Sequence, residues 1–324
     1  MALLPDNEQH AKQIEAGTTG RNRGHKFEKL LTDDLNSLDW SLVKMPSQKA
    51  EHLVTGHPAV ELVRYIAQRK QLSDIKAVRA WWVGGLATSG QGDTLTDEEG
   101  NPITKCKSDV VIEIRHAGGV CKTGVSVKTC SKKTPTNAQL YFTTASRFCQ
   151  FLRENGIPVT QEAESALRMF CGDPGYRPLD NPDSLIGRKS DPERFFWEEL
   201  PPAGLAELER IFTEYQDEIT QLLLQKAYHS DPYPPEFVLH QTVKYSDMKQ
   251  CTIALFTVEE LVRLSRQYNG FHKRPYYVRK GRFKGDPNEH QAPRSGFVQF
   301  QRGGQKQHPT QLQFNLQAGY FHKI

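Results

Sequence analysis

The 324-residue sequence predicts an α/β fold, in which helices flank a central mixed β-sheet. Segments with apolar residues at helical spacing alternate with short segments rich in Val, Ile and aromatic residues. Along the chain, these segments read as a helix, mixed strands, a run of helices and a final group of strands. We expect residues 1–324 to form a single domain, with a helical insertion over 155–235 and a strand-rich C-terminal part.

The N-terminal elements begin with a helix that follows a turn flanked by Gly20 and Gly24. Glu28 lies beside the apolar stripe of this helix. The residues of that stripe recur at helical spacing and are Phe27, Leu30, Leu31 and Leu35. The same reasoning predicts a helix over 59–70 and a strand over 77–83, and we interpret the Trp pair that ends this strand as part of the core.

Two segments rich in Val and Ile, residues 107–114 and 125–129, predict a pair of strands separated by a glycine-containing turn. Asp109 lies at the start of the first strand. Lys128 lies inside the second, on the same face as Ser126. A carboxylate and a lysine on adjacent strands can hold a hard cation and position a water molecule, which metal-dependent phosphodiester hydrolysis requires.

The rest of the chain predicts further helices and late strands. The predicted segments are a helix over 137–154, a surface loop over 173–192, a helical layer over 193–228, and strands at 276–279, 296–302 and 311–316. Another helix is predicted over 257–268, because Thr257 is a good N-cap and acidic residues follow it in the first turn.

The bulk composition excludes several classes of protein. The six cysteines form neither a C-x-x-C pair nor a zinc-binding spacing, which indicates reduced thiols in an intracellular protein. No apolar run approaches the roughly 18–20 residues of a membrane span, and the N-terminus does not resemble a signal peptide. We therefore expect a cytoplasmic protein.

The C-terminal segment 271–324 is strongly basic. It contains ten Lys or Arg residues against Asp286 and Glu289, a net charge of +8, whereas the whole chain carries only +4. The first 270 residues are therefore mildly acidic. A basic segment joined to an acidic body indicates a polyanionic partner, and we predict that 271–324 contacts DNA.

Several motifs resemble the PD-(D/E)XK nuclease superfamily, which includes most type II restriction endonucleases. The resemblance is carried by Ser108-Asp109, followed by Ser126-Val127-Lys128, and by Glu28 in a Gly-x-x-Phe-Glu context on the first helix. In the tail, Phe300-Gln301-Arg302-Gly303-Gly304, followed by Leu312-Gln313-Phe314, resembles the C-terminal ends of several restriction enzymes. The resemblance implies the nuclease fold of that superfamily for the single domain.

The resemblance and the chemistry of these residues predict a magnesium site. Asp109, Glu28 and the main-chain carbonyl of Val127 would be the oxygen ligands. Lys128 would stabilise the pentavalent transition state and orient or deprotonate the attacking water. Ser126 would contribute a hydroxyl group to the catalytic set.

Two positions depart from the family pattern. Ser108 precedes the aspartate where the family usually has proline, and Ser126 occupies the place of the usual second carboxylate. The loss of one anionic ligand should weaken metal binding unless another carboxylate supplies the missing charge. Glu28 is the preferred candidate and Glu113 the rival, although Glu113 lies four residues along the strand from Asp109, which is ~13 Å.

The predicted DNA contacts fall into two groups. Lys132 and Lys133 follow the catalytic lysine closely and would contact phosphates beside the scissile bond. Residues that could contact bases or backbone in the tail are Arg279, Lys280, Arg282, Gln301, Arg302 and Lys306.

We therefore predict a type II restriction endonuclease that uses Mg²⁺ and cleaves both strands of a specific short sequence in double-stranded DNA. The resemblance implies 5′-phosphate ends, a homodimer and a companion DNA methyltransferase in the cytoplasm of a bacterial or archaeal cell. Two alternatives stay open: a structure-specific repair or recombination nuclease of the same fold, and a catalytically inactive DNA-binding protein.

Overall fold

The computed structural model describes residues 8–43, 51–86, 90–130, 137–226, 231–241, 251–279, 283, 285–302, 310–317 and 319. The chain divides into two compact units. The first unit is made mainly of Leu4–Ala138 and Leu224–Leu261. The second unit is made mainly of Gln139–Leu223 and Val262–Gln317. The predicted nuclease motifs around Asp109 lie in the first unit.

The strands, in chain order, are β1 (Leu53–Gly56), β2 (Ala77–Trp82), β3 (Val110–His116), β4 (Gly119–Thr129), β5 (Ala138–Thr143), β6 (Pro235–Gln241), β7 (Cys251–Thr257), β8 (Phe271–Tyr276), β9 (His290–Ser295), β10 (Val298–Arg302) and β11 (Leu312–Leu316). The α-helices are α1 (Glu8–Ser37), α2 (Pro58–Arg69), α3 (Ala145–Glu154), α4 (Gln161–Cys171), α5 (Pro202–Glu214), α6 (Gln216–Gln225) and α7 (Val258–Tyr268). Short 3₁₀ helices occur at Trp40–Leu42, Pro178–Asp180, Pro182–Leu185 and Trp197–Glu199. Among these described helices, none has the length and apolar character needed to cross a membrane.

The first unit contains a six-stranded sheet in the order β1-β7-β6-β4-β3-β2. Strands β4 and β6 are parallel, whereas the other neighbouring pairs are antiparallel. The sheet is therefore mixed. This confirms the predicted fold class, an α/β fold with helices flanking a mixed sheet.

Helix α1 is fixed to this sheet by apolar packing and by one side chain. Phe27, Leu31 and Leu35 are fully buried in the core that the helices form with the sheet. Each such side chain contributes roughly 1.5–3 kcal/mol. In addition, the Asn36 amide donates to the carbonyl of Ala80 (2.9 Å) and accepts from its N–H (2.8 Å), which ties the helix to strand β2. These contacts determine where Glu28, on the same helix, is placed.

The predicted hairpin, the helix at 59–70 and the strand at 77–83 are all present. Most bounds shift by one to three residues, but the second hairpin strand, predicted over 125–129, begins six residues earlier, at Gly119. Helix α1 was predicted to begin after the turn at Gly20 and Gly24, and this start is wrong. The helix begins at Glu8 and passes through both glycines. A helical glycine costs about 1 kcal/mol relative to alanine but does not end a helix. Strands β1, β6 and β7 of this unit were not predicted.

The second unit contains a five-stranded sheet in the order β5-β11-β10-β9-β8. One face of it is apolar. Phe300 and Phe314 on this face pack against Phe212 of α5 (centroids 4.4 Å apart) and Phe148 of α3 (4.5 Å), respectively. The strand alternation then gives the other face polar residues such as Gln299. The described part of 155–235 contains helices α4, α5 and α6, and the boundaries of the predicted insertion stay a prediction.

Two predictions for the second unit are wrong. The helix predicted over 137–154 is strand β5 followed by helix α3, because Leu140-Tyr141-Phe142-Thr143 favours a strand and Thr144 caps a new helix by accepting a hydrogen bond from Arg147 N–H. The strand predicted at 276–279 lies earlier, as β8. By contrast, the capped helix at 257–268 is confirmed as α7, since Thr257 Oγ1 accepts from Glu260 N–H (3.0 Å).

Candidate active site

Asp109 directly precedes strand β3 and is held there by backbone hydrogen bonds on two sides. Its N–H donates to the carbonyl of Val125 on β4 (2.9 Å). Its own carbonyl accepts from the N–H groups of Val83 and Gly84 at the end of β2 (both 3.0 Å). The residue therefore sits where three neighbouring strands of the sheet meet, with a fixed backbone.

The Asp109 carboxylate collects three hydrogen bonds on one oxygen, Oδ2. They come from Ser126 Oγ (3.1 Å), Val127 N–H (2.6 Å) and Lys128 Nζ (3.2 Å). Lys128 Nζ also donates to the carbonyl of Val127 (3.2 Å). A positive charge thus lies between a carboxylate oxygen and a carbonyl oxygen. Both charged side chains are only about one-fifth exposed (21% and 18%), so this electrostatic attraction is stronger than at an open surface.

Glu28 reaches the same site from helix α1. It is 6% exposed, and its Oε2 accepts a hydrogen bond from Trp82 Nε1 (2.9 Å). Burial, followed by repulsion from the Asp109 carboxylate, raises the pKa of Glu28 to about 8, although the Trp82 hydrogen bond and the charge of Lys128 oppose this shift. At neutral pH this carboxyl group is therefore mostly protonated.

Gly84 makes the approach of the two carboxyl groups possible. A Cβ atom on this residue would lie 2.5 Å from Glu28 Oε2 and 3.3 Å from Asp109 Cα. The shorter contact is with the end of a flexible side chain, so an alanine could be accommodated by moving Glu28. The residue type at position 84 therefore affects the position of Glu28 more than it affects the fold of the sheet.

If the DNA cleavage predicted from the sequence takes place at this site, Gly84→Ala should reduce it about tenfold to a hundredfold while the protein stays folded, because a displacement of about 1 Å in an active site has effects of this size. The rate of DNA cleavage would be measured as a function of Mg²⁺ concentration, and circular dichroism would check folding. Gly20→Ala is the matched control, since a Cβ there meets no atom within 4 Å. Unchanged cleavage by Gly84→Ala would show that the position of Glu28 does not matter.

Sequence reasoning missed two aromatic side chains near the site. Trp82 was interpreted as core, but its indole N–H binds Glu28, and only Trp81 belongs to a buried cluster. The ring of His25 contacts that of Trp82 edge-on (5.7 Å between centroids). Burial lowers the pKa of His25, and the nearby Asp109 charge opposes this. The sequence signal that could have identified His25 is its spacing from Glu28. The two residues are three apart on one helix and are therefore neighbours on its surface.

The two residues immediately before Asp109, Lys107 and Ser108, also lie close to the site. Burial and repulsion from Lys128 lower the pKa of Lys107 to about 8, so a second lysine lies in the field of the Asp109–Lys128 pair. Ser108, where the family usually has proline, is fully buried and donates to the carbonyl of Tyr233 (2.7 Å). This hydrogen bond links the start of β3 to the segment that precedes β6.

The rival carboxylate lies elsewhere on the sheet. Glu113 is paired in register with Arg79 on β2 and Lys122 on β4, and its carboxylate lies 3.5 Å from Arg115 Nε. Its surroundings are therefore those of a carboxylate neutralised by nearby cations. Glu28 is the carboxyl group whose pKa responds to the charge of Asp109.

The predicted DNA contacts are only partly described by the structure. Arg279, Gln301 and Arg302 lie in the second unit, where Arg302 contacts Asp191 (3.4 Å) and the Gln301 amide donates to Gln313 (3.3 Å). The remaining predicted contacts lie outside the described residues: Lys132, Lys133, Lys280, Arg282 and Lys306.

The donor atoms at the site fit a hard divalent cation. Within the described ranges, no group of three or more His, Cys, Asp or Glu residues is arranged to hold a metal. The candidate set is instead two carboxyl groups, Asp109 and Glu28, together with the carbonyl of Val127. Mg²⁺ commonly binds one or two carboxylates and keeps several water ligands, so this all-oxygen set suits it. The ammonium of Lys128 already lies between two of these oxygens.

Comparison with known proteins supports the fold. The sequence matches no family model and no curated protein. Among solved structures, the chain is similar to restriction endonuclease MspI in complex with its cognate DNA, with a TM-score of 0.52 and 13% sequence identity. The similarity covers 93% of this chain and 92% of that chain. The chain therefore has a restriction-endonuclease-like fold.

Proposed function

We propose that this chain is a Mg²⁺-dependent endodeoxyribonuclease of the type II restriction class that cleaves both strands of a specific short DNA sequence. The observation that carries the proposal is the convergence of Ser126, Val127 and Lys128 on one carboxylate oxygen of Asp109. The similarity of the fold to that of a restriction endonuclease supports a nuclease in general. The finer assignment rests on the site.

The proposed magnesium ion would be held by Asp109, Glu28 and the carbonyl of Val127. When bound, it would supply a Lewis acid for the phosphoryl oxygens and lower the pKa of a bound water. Lys128 would donate hydrogen bonds to a non-bridging phosphoryl oxygen and so stabilise the negative charge that develops in the transition state. Ser126 and the Val127 N–H would keep the Asp109 carboxylate oriented.

The protonation of Glu28 matches the proposed cation binding. With Glu28 neutral, the charges of Asp109 and Lys128 balance. Loss of the Glu28 proton adds a second negative charge beside that of Asp109 in a buried place, which a divalent cation would neutralise. Trp82 keeps the carboxyl group in position in both protonation states, since it donates to Oε2.

The same proposal includes the DNA contacts, the homodimer, the product ends and the companion methyltransferase that the sequence predicts. Arg279, Gln301 and Arg302, together with the predicted lysine contacts, would bind double-stranded DNA. A homodimer would place two such sites on the two strands, with its two-fold axis on that of the DNA sequence. The products would carry 5′-phosphates. A companion DNA methyltransferase would protect the DNA of the bacterial or archaeal cell in whose cytoplasm the enzyme acts.

Digestion of a sequenced phage genome tests this function directly. We expect discrete fragments in the presence of Mg²⁺, none in EDTA, and 5′-phosphates at mapped ends that share one sequence. Cleavage restricted to mismatched or branched DNA would favour the structure-specific alternative. DNA binding without cleavage on any of these substrates would instead favour the inactive DNA-binding alternative.

A further inference from the structure

The second unit contains a cavity of about 780 Å³ that is separate from the residues of the candidate active site. The residues that line it include five arginines, three glutamines and four aromatic residues, but only one acidic residue, Glu289. The volume falls within the roughly 300–1,000 Å³ typical of small-ligand pockets. The lining is thus cationic and aromatic, and it carries several amide groups.

The strand register explains why arginine and glutamine side chains meet in this cavity. Gln299 on β10 pairs directly with Arg294 on β9, so both point to the same face of the sheet. Gln301 shares this face two residues along β10. Arg274 on β8 pairs with Ala292, which lies on the same face as Arg294. One sheet face therefore presents amides in the middle and guanidinium groups beside them.

The arginines of the cavity differ in their ion pairing. Arg302 lies close to Asp191 (3.4 Å) and Glu193 (3.6 Å), and Arg194 also lies near Asp191 (3.6 Å). Arg274 and Arg279, by contrast, are exposed and belong to none of the ion pairs among the described residues. The cavity therefore has positive charge available for an anionic ligand.

The concave shape limits how DNA could use these residues. In an intact duplex the base edges lie at the floor of a groove, so a protein reads them with side chains that protrude. Amides inside a cavity meet a base only when the base itself protrudes from the helix. Tyr277, half-exposed at the cavity, offers a ring on which an unstacked base can lie.

We propose that this cavity binds one nucleotide that has left the base stack. Arg274 and Arg279 would contact its phosphates, Gln299 and Gln301 would bond the edge of the base, and Tyr277 would stack on its face. The ligand chemistry is that of a single nucleotide, and the source we favour is an extrahelical nucleotide of the bound DNA. In taking DNA as the partner, the inference rests on the proposed function.

The test uses the full chain in EDTA, so that binding is measured without cleavage. Fluorescence anisotropy would compare a fully paired short duplex with the same duplex in which one 5-iodouridine lies opposite an abasic site. We expect the duplex with the unpaired nucleotide to bind about tenfold more tightly, because only that duplex offers a base that can stack on Tyr277. Irradiation should cross-link the iodouridine to the peptide that contains Tyr277.

Two variants and a control make the test specific. Arg274→Ala and Gln301→Ala should abolish the preference for the unpaired duplex. Arg266→Ala should keep it, because Arg266 is an exposed arginine of the same unit that pairs with Asp217 outside the cavity lining. Circular dichroism would check that each variant is folded.

The outcomes of this test distinguish a failure of the cavity proposal from a failure of the proposed function. Equal affinity for both duplexes, with no cross-link in the cavity, would overturn the inference even if the chain cleaves DNA. Arg274-dependent binding of free deoxynucleoside monophosphates without any duplex preference would also overturn it, in favour of a free-nucleotide site. A preference that depends on Arg274 and Gln301 would support the inference even if no cleavage is found.

Discussion

Asp109→Asn should lower the rate of Mg²⁺-dependent DNA cleavage by about 10³-fold or more, because the change removes the anionic ligand on which the site converges. Asparagine has the same shape, and its carbonyl oxygen can still accept from Ser126 Oγ and Val127 N–H. Folding and DNA binding should therefore persist. Cleavage rates at saturating enzyme, together with anisotropy in Ca²⁺ buffer, would measure the two effects separately.

Lys128→Met tests the other half of the same pair. The expected loss is about 10²–10³-fold in the cleavage rate, which is typical when one donor to a developing oxyanion is removed. Lys122→Met is the matched control on strand β4, since Lys122 bonds the hydroxyl of Tyr233 rather than Asp109. If Asp109→Asn or Lys128→Met cleaved DNA at the rate of the wild type, the site would be wrongly assigned.

Glu28→Gln should make the metal-free protein more stable at pH 8–9 while it weakens cleavage. The folded protein keeps a proton on Glu28 between its ordinary pKa of 4.5 and about 8, whereas the unfolded chain has released it. The wild type therefore loses stability as pH rises through this window, by up to about 1.4 kcal/mol per pH unit. Glutamine still accepts from Trp82 and does not ionise. Urea denaturation in EDTA at several pH values would measure the difference.

The same variant separates Glu28 from its rival. Mg²⁺ should raise the unfolding free energy of the wild type at pH 8.5 more than that of Glu28→Gln, because a ligand that binds only the folded state stabilises it. Glu113→Gln should respond to Mg²⁺ as the wild type does, since its carboxylate lies beside Arg115. The reverse pattern would identify Glu113 as the second carboxylate.

Local sequence signals were sufficient for the parts of the fold that depend on neighbouring residues. The β3–β4 hairpin is rich in Val and Ile and is joined by a short turn, so its pairing requires no distant segment. Thr257 and Glu260 form reciprocal cap bonds within one helical turn, which made the start of α7 predictable. Strand β5 was wrongly included in a predicted helix, because periodicity does not distinguish a short apolar strand from the start of an adjacent helix.

The site residues could be predicted because residues two apart on a strand lie on the same face. Ser126 and Lys128 have this spacing on β4. The contacts that decide the state of Glu28 could not be read in this way. Its hydrogen-bond partner Trp82 lies 54 residues away in the sequence. Gly84 leaves room for the Glu28 side chain, and the two residues lie next to each other only because α1 packs on β2. Such contacts depend on tertiary packing, which overrides local preference.

The parallel pairing of β4 with β6 has a consequence for how the protein is made. Val125 pairs with Phe237, which the ribosome adds 112 residues later. The whole of Gln139–Leu223, the longer of the two main segments of the second unit, is made in between. Closure over so long a stretch is slow compared with formation of the hairpin. A nascent or prematurely terminated chain therefore carries Asp109 and Lys128 without the central strand that supports them. If the chain is the proposed nuclease, its candidate site would therefore be incomplete until synthesis is well advanced.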